Sequence, residues 1–150
     1  YCALGGEEVG APICGGGKPE GLPEGLDVNA YFQPTIFTDV PNKAKIAQEE
    51  IFGPVLSVMK ADSLEAAIDT IHGVPYGNMA SIYTSSGKSA RDFSPNVKAG
   101  NVGVNVGVAA PMAFFHFGGM KESFYGDLHG QAGDAVSFFT EEKIVIQRWF

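Results

Sequence analysis

Two segments of this chain hold residue types that could do chemistry. In Gln48-Glu49-Glu50-Ile51-Phe52-Gly53-Pro54-Val55 an acidic pair stands two residues ahead of an aromatic, and a Gly-Pro turn fixes the approach to Val55. A carboxylate held in place accepts hydrogen bonds from a vicinal diol, and an aromatic ring packs against a flat heterocycle. The same spacing also describes an ordinary solvated acid pair, so the residues by themselves leave both readings open. The second segment, Pro111 to Met120 (PMAFFHFGGM), gathers three phenylalanines and two methionines. Such a loop either completes a core or lines an apolar substrate funnel.

The remaining reactive groups offer less. His72, His116 and His129 show no HxxxH or HxH spacing, and no metal site is expected from them. The two cysteines, Cys2 and Cys14, cannot build a disulfide framework. Cys14 precedes three glycines but has no evident cationic neighbour to lower its pKa, so neither thiol is given a catalytic role. Gly15 to Gly17 and the Gly118-Gly119 pair lack the GxGxxG or GxxxxGK[ST] context that sets amides on a phosphate, and read as turns and close packing.

These segments need a frame, and the hydrophobic pattern supplies one. Residues 1 to 25 are rich in Gly and Pro with no complete amphipathic period. Tyr31 to Val40 and Val55 to Lys60 read as strands, with a short helical turn from an Asn42 cap through Glu50 between them. Asp62 and Glu65 form a capping box ahead of a helix whose apolar face is Leu64, Ala67, Ile68 and Ile71, stopped at Gly73 and Pro75. Met79 to Thr84 gives a strand, and a helix capped by Ser85 or Ser86 is expected to finish before Pro95. Asn101 to Val108 alternates valine with Gly or Asn as a strand does, and Phe138 to Trp149 ends in the alternating KIVIQRW. The order β, α, β, α, β with short connections predicts an α/β layered, parallel sheet.

Composition bounds the rest. With 45% hydrophobic and 18% charged residues over 150 positions the chain is that of a folded globular protein. Ten Lys and Arg against 17 Asp and Glu give 10 − 17 = −7, which repels nucleic acid and acidic membrane surfaces. No apolar run approaches a membrane span, nothing at Tyr1 reads as a targeting signal, and the sparse cysteines suit a reducing, cytoplasmic compartment, or the mitochondrial matrix in a eukaryote.

Taken in order, QEEIFGPV, the helix with its PYGN ending, AGNVGVNV, FFHFGGMKESFYGD and TEEKIVIQRW resemble the C-terminal third of an NAD(P)-dependent aldehyde dehydrogenase, over nearly the whole chain. The common family pattern has Pro before Phe-Gly-Gly and Ser-Gly soon after the Lys. This chain has His116-Phe117-Gly118-Gly119 and Glu122-Ser123-Phe124-Tyr125-Gly126-Asp127-Leu128-His129, which is similar to the CoA-acylating methylmalonate-semialdehyde dehydrogenase branch.

The resemblance implies aldehyde oxidation through a thiohemiacetal on a cysteine that falls upstream of Tyr1. No catalytic residue is therefore expected in this chain, and the 150 residues alone should turn over no aldehyde. It implies that Glu50 hydrogen-bonds the nicotinamide ribose, that Phe52 packs at the nicotinamide, and that Phe117 lies at the substrate pocket. The cofactor would be NAD or NADP, a choice made outside these residues, with CoA as co-substrate and decarboxylation of a malonate-semialdehyde-type aldehyde. Residues 1–139 would be the C-terminal part of the catalytic domain, and 140–150 a strand that joins a neighbouring subunit in a homo-oligomer, dimer or tetramer. Two other readings stand beside it: a general aldehyde dehydrogenase that releases a free acid, and an inactive module that associates through its terminal strand.

Overall fold

A computed structural model describes residues 1–150, which form two compact units, Tyr1–Val74 and Pro75–Phe150. The first unit opens with a helix that the Gly-rich sequence did not suggest, α1 (Cys2–Glu8). Its reason is tertiary: a Cβ at Gly5 would lie 2.7 Å from Cζ of Phe37, so glycine is what lets the helix reach that ring. Leu4 and Val9 then pack on a buried cluster of Phe37, Val40, Ala44 and Ile46. Strand β1 (Thr35–Phe37) pairs in parallel with β2 (Val55–Ser57), Thr35 opposite Val55. The ladder is shorter than the predicted Tyr31 to Val40 because Pro34 has no N–H to give and Asp39 turns into the left-handed region at φ 55°.

Between them α2 spans only Lys45–Gln48, within the predicted Asn42 to Glu50, and buries Ile46. Helix α3 (Leu64–His72) matches its predicted face, with Ile68 buried, but the cap is Ser63, whose Oγ accepts from the Ala66 amide at 3.1 Å, and not Asp62. A serine one residue closer to the first turn reaches that amide directly.

In the second unit β3 (Tyr76–Gly77) pairs antiparallel with β6 (Met120–Lys121), and β4 (Met79–Ile82) pairs in parallel with β5 (Asn101–Val104). Helix α4 (Gly87–Asn96) links β4 to β5, capped by Ser86 and burying Phe93. It runs through Pro95 instead of stopping before it. The proline falls in the last turn, where the Val97 amide still closes onto the Phe93 carbonyl at 3.0 Å, so little of the helix remains to be broken.

The predicted strand Asn101 to Val108 ends at Val104. Asn105 adopts φ 56°, its Oδ1 accepts from the Thr84 amide at 2.8 Å, and its Nδ2 donates to the Thr84 carbonyl at 3.0 Å, turning the chain away from the ladder. Within β5 the small residues face inward: Asn101 and Gly103 are buried while Val104 is exposed. A Cβ at Gly103 would meet Ser81 Oγ at 2.6 Å, so no side chain fits at that position.

The parallel pairs thus exist, as separate two-stranded ladders and not as one layered sheet. Helix α5 (Ala132–Phe139) takes up Phe138 and Phe139, which begin the predicted terminal strand, and residues 140–150 form no strand in the single chain. Ile144, Ile146 and Trp149 there are exposed, Ile146 to 92%. No helix is long and apolar enough to cross a membrane.

Candidate functional site

The acid pair divides once folded. Both carboxylates are exposed, but Glu49, at the end of α2, accepts a hydrogen bond from the Tyr1 hydroxyl at 2.8 Å, a contact that Glu50, next along the connection to β2, does not share. Ile51 packs against the buried cluster of the first unit, and Phe52, one residue on, is 94% exposed. The turn just after them is held: the Thr35 amide donates to the Pro54 carbonyl at 2.8 Å and the Val55 amide to the Gly53 carbonyl at 2.8 Å. A large ring held in water beside a carboxylate, on an anchored segment, suits a ligand with an apolar plane and hydroxyls. These are the two residues expected at a nicotinamide riboside, and the structure places both on this one segment.

Phe117 belongs to the second unit and is partly exposed. Its loop is held by groups that periodicity does not single out. Asn101, only 8% exposed, donates through Nδ2 to the carbonyls of Gly118 at 3.0 Å and Asn78 at 3.2 Å, so one buried amide ties the loop to the start of β4. A Cβ at Gly100 would lie 2.2 Å from the Gly118 carbonyl oxygen, which keeps that approach open only to glycine. Ser123 Oγ accepts from the Gly77 amide at 3.0 Å and pins the turn after β6 to β3. The signal for Asn101 is a polar residue opening a valine strand; alternation alone assigns it to a face without a role.

Beyond this loop His129 Nδ1 lies 3.1 Å and His116 Nδ1 2.9 Å from Asp134 Oδ2, and the His129 backbone amide donates to the same oxygen at 3.0 Å. That amide, ahead of the two rings, holds the Asp134 carboxyl below its ordinary value against an opposing push from burial. His129 stacks on Phe124 and lines an apolar cavity of about 330 Å³ with Leu128, Phe138 and Phe139. The separations of the three histidines in sequence match no ligand spacing, yet the fold brings two of them together. Cys14 is exposed and Cys2 half-buried, both as free thiols.

Compared with known protein families, residues 1–145 match the Aldehyde dehydrogenase family. The chain belongs to the aldehyde dehydrogenase family. Among curated relatives of this aldehyde dehydrogenase chain, malonate-semialdehyde dehydrogenase of Bacillus pumilus is 47% identical over 145 residues, covering 96% of this chain and 29% of the relative. Among solved structures, a putative methylmalonate-semialdehyde dehydrogenase from Sinorhizobium meliloti complexed with NAD superposes with a TM-score of 0.90 at 35% identity, over 98% of this chain and 30% of that one. An aldehyde dehydrogenase of Mycobacterium tuberculosis complexed with NAD+ gives 0.81 at 38% identity, over 95% and 28%. This aldehyde dehydrogenase chain therefore spans under a third of the length of the relatives it matches, and its fold is theirs over that span.

Proposed function

We propose that the chain is the C-terminal part of an NAD-dependent aldehyde dehydrogenase that oxidises malonate or methylmalonate semialdehyde to a CoA thioester with loss of CO2. The observation that carries the cofactor part is the anchored pair of exposed Glu50 and 94% exposed Phe52. The substrate class is supported by similarity to malonate- and methylmalonate-semialdehyde dehydrogenases. Bound at this segment, NAD supplies the acceptor for the aldehyde's two electrons. Glu50 would accept from the ribose hydroxyls, Phe52 would pack at the flat ring, and Phe117 would bound the substrate. The cysteine nucleophile belongs to upstream chain.

The overall change balances for malonate semialdehyde: the aldehyde C–H is oxidised, the CoA sulfur bonds the acyl carbon, and the carboxylate leaves as CO2 while its carbon–carbon bond electrons take a proton to form the methyl group. The test is full-length protein with malonate semialdehyde and NAD, with and without CoA, following NADH and product mass. A thioester one carbon shorter than the aldehyde, formed together with CO2, is expected. A free acid that incorporates no CoA would make the protein a general aldehyde dehydrogenase instead.

The same reading puts residues 140–150 against a neighbouring subunit of a homo-oligomer, where their alternating apolar side chains find a sheet to join. Full-length protein lacking 142–150 is expected to sediment as a smaller species and to aggregate on standing. An unchanged oligomer after the deletion would assign the segment to its own subunit.

A further inference from the structure

We propose that His116, His129 and Asp134 form a binding site for one divalent transition-metal ion of the zinc type. The three come from separate stretches: His116 from the phenylalanine loop after β5, His129 from the loop after β6, and Asp134 from the first turn of α5. One ligand atom from each lies within 4.8 Å of the other two. The two imidazole-to-carboxylate separations, 2.9 and 3.1 Å, come near the edge of a tetrahedron drawn around zinc with bonds of about 2.0–2.1 Å, which is about 3.3 Å; the wider spacing within the 4.8 Å bound lies between the two imidazole nitrogens, and the exposed His116 ring must swing inward to close it when an ion binds. Two imidazoles and a carboxylate are a donor set that zinc and its neighbours accept, whereas calcium and magnesium ask for oxygen.

Both rings turn Nδ1 toward the same carboxylate oxygen, the arrangement that an ion held between them requires. Asp134 Oδ2 has three nitrogens around it, the His129 amide and both Nδ1 atoms, although a carboxylate oxygen offers two lone pairs. With the ion between the rings and the oxygen, each imidazole gives its Nδ1 lone pair and keeps its proton on Nε2, and the amide retains its own bond to the carboxylate. The rings are set for this: their planes stand at 70° with centroids 6.1 Å apart, so their edges converge instead of stacking. His129 is held in place by Phe124, stacked at 4.5 Å and 12°, and by Gly118, where a Cβ would fall 1.6 Å from His129 Cδ2. His116 is 58% exposed, which leaves the ion's fourth position to water. A bound ion would tie the loop that carries Phe117 to α5.

The experiment uses the full-length protein without a histidine tag, with Cys2→Ser and Cys14→Ser to remove competing thiols. After chelator treatment it is titrated with zinc chloride by calorimetry and with cobalt(II) by visible absorption. One equivalent of zinc and the intense visible bands of a four-coordinate cobalt centre are expected. His116→Ala, at an exposed position that does not endanger the fold, should weaken binding at least about tenfold, and Asp134→Asn similarly, while His72→Ala leaves it unchanged. Absence of one-to-one binding, affinity indifferent to His116→Ala, or equal loss in His72→Ala would each overturn the assignment.

Discussion

Replacing Glu50 by Gln in the full-length protein is expected to slow single-turnover NADH formation by about 10- to 100-fold while leaving the aldehyde half-saturation nearly unchanged. The size comes from two effects. A hydrogen bond to a charged acceptor contributes about 1.5–3 kcal/mol, and a reacting group displaced by about 1 Å can lose two orders of magnitude in rate. Gln keeps the shape and one acceptor, so the loss falls on positioning and not on folding. Glu49, equally exposed but tied to the Tyr1 hydroxyl, adds a control: Glu49→Gln should cost far less. Stopped-flow absorbance decides it. Equal rates for Glu50→Gln and the parent would remove Glu50 from the site.

The second large effect is on stability and concerns the contact that makes α1 possible. Phe37 is fully buried at the centre of the first unit's core, and truncating such a ring to alanine costs about 3–5 kcal/mol. That is a large share of the whole stability of an ordinary domain, about 5–15 kcal/mol. Gly5→Ala should cost about 1–3 kcal/mol by overpacking, since its Cβ would press on the Phe37 ring. The two are coupled: Gly5→Ala combined with Phe37→Leu should lose less than the sum of the single changes, because the shorter side chain vacates the space that the methyl needs. Urea unfolding of the chain followed by circular dichroism measures all of these. Strict additivity would mean that α1 does not depend on this ring.

The same contact shows where the sequence was readable and where it was not. The face of α3 was legible because Leu64, Ala67, Ile68 and Ile71 repeat at helical spacing and need no distant partner to be recognised. Helix α1 was illegible because CALGGEE has the composition of a turn, and its helical state depends on a ring 32 residues away along the chain. Asn105 misled in the opposite direction: the valine alternation runs straight through it, and only its paired bonds to Thr84 reveal a turn. The terminal KIVIQRW alternates as a strand should, yet a ladder needs a second strand, and in this structure the segment pairs with none.

At the candidate site the local motif was the readable part. Glu50 and Phe52 lie within one short segment, so their juxtaposition is written in consecutive residues. The groups that hold the Phe117 loop, Asn101, Gly100 and Ser123, act across separations that no period records. His116 and His129 converge only because the chain from β6 to α5 folds back on Asp134.

Trp149, the chain's single tryptophan, stands 87% exposed near the end of that unpaired terminal segment. Its indole is thereby a built-in optical gauge of whatever the segment docks against. In the dispersed chain it emits as a water-bathed fluorophore, at the red end of its range and open to collisional quenchers such as iodide. Once a second surface closes over it, the emission moves to the blue and the quenching falls away, so this residue's light follows docking in real time without a label.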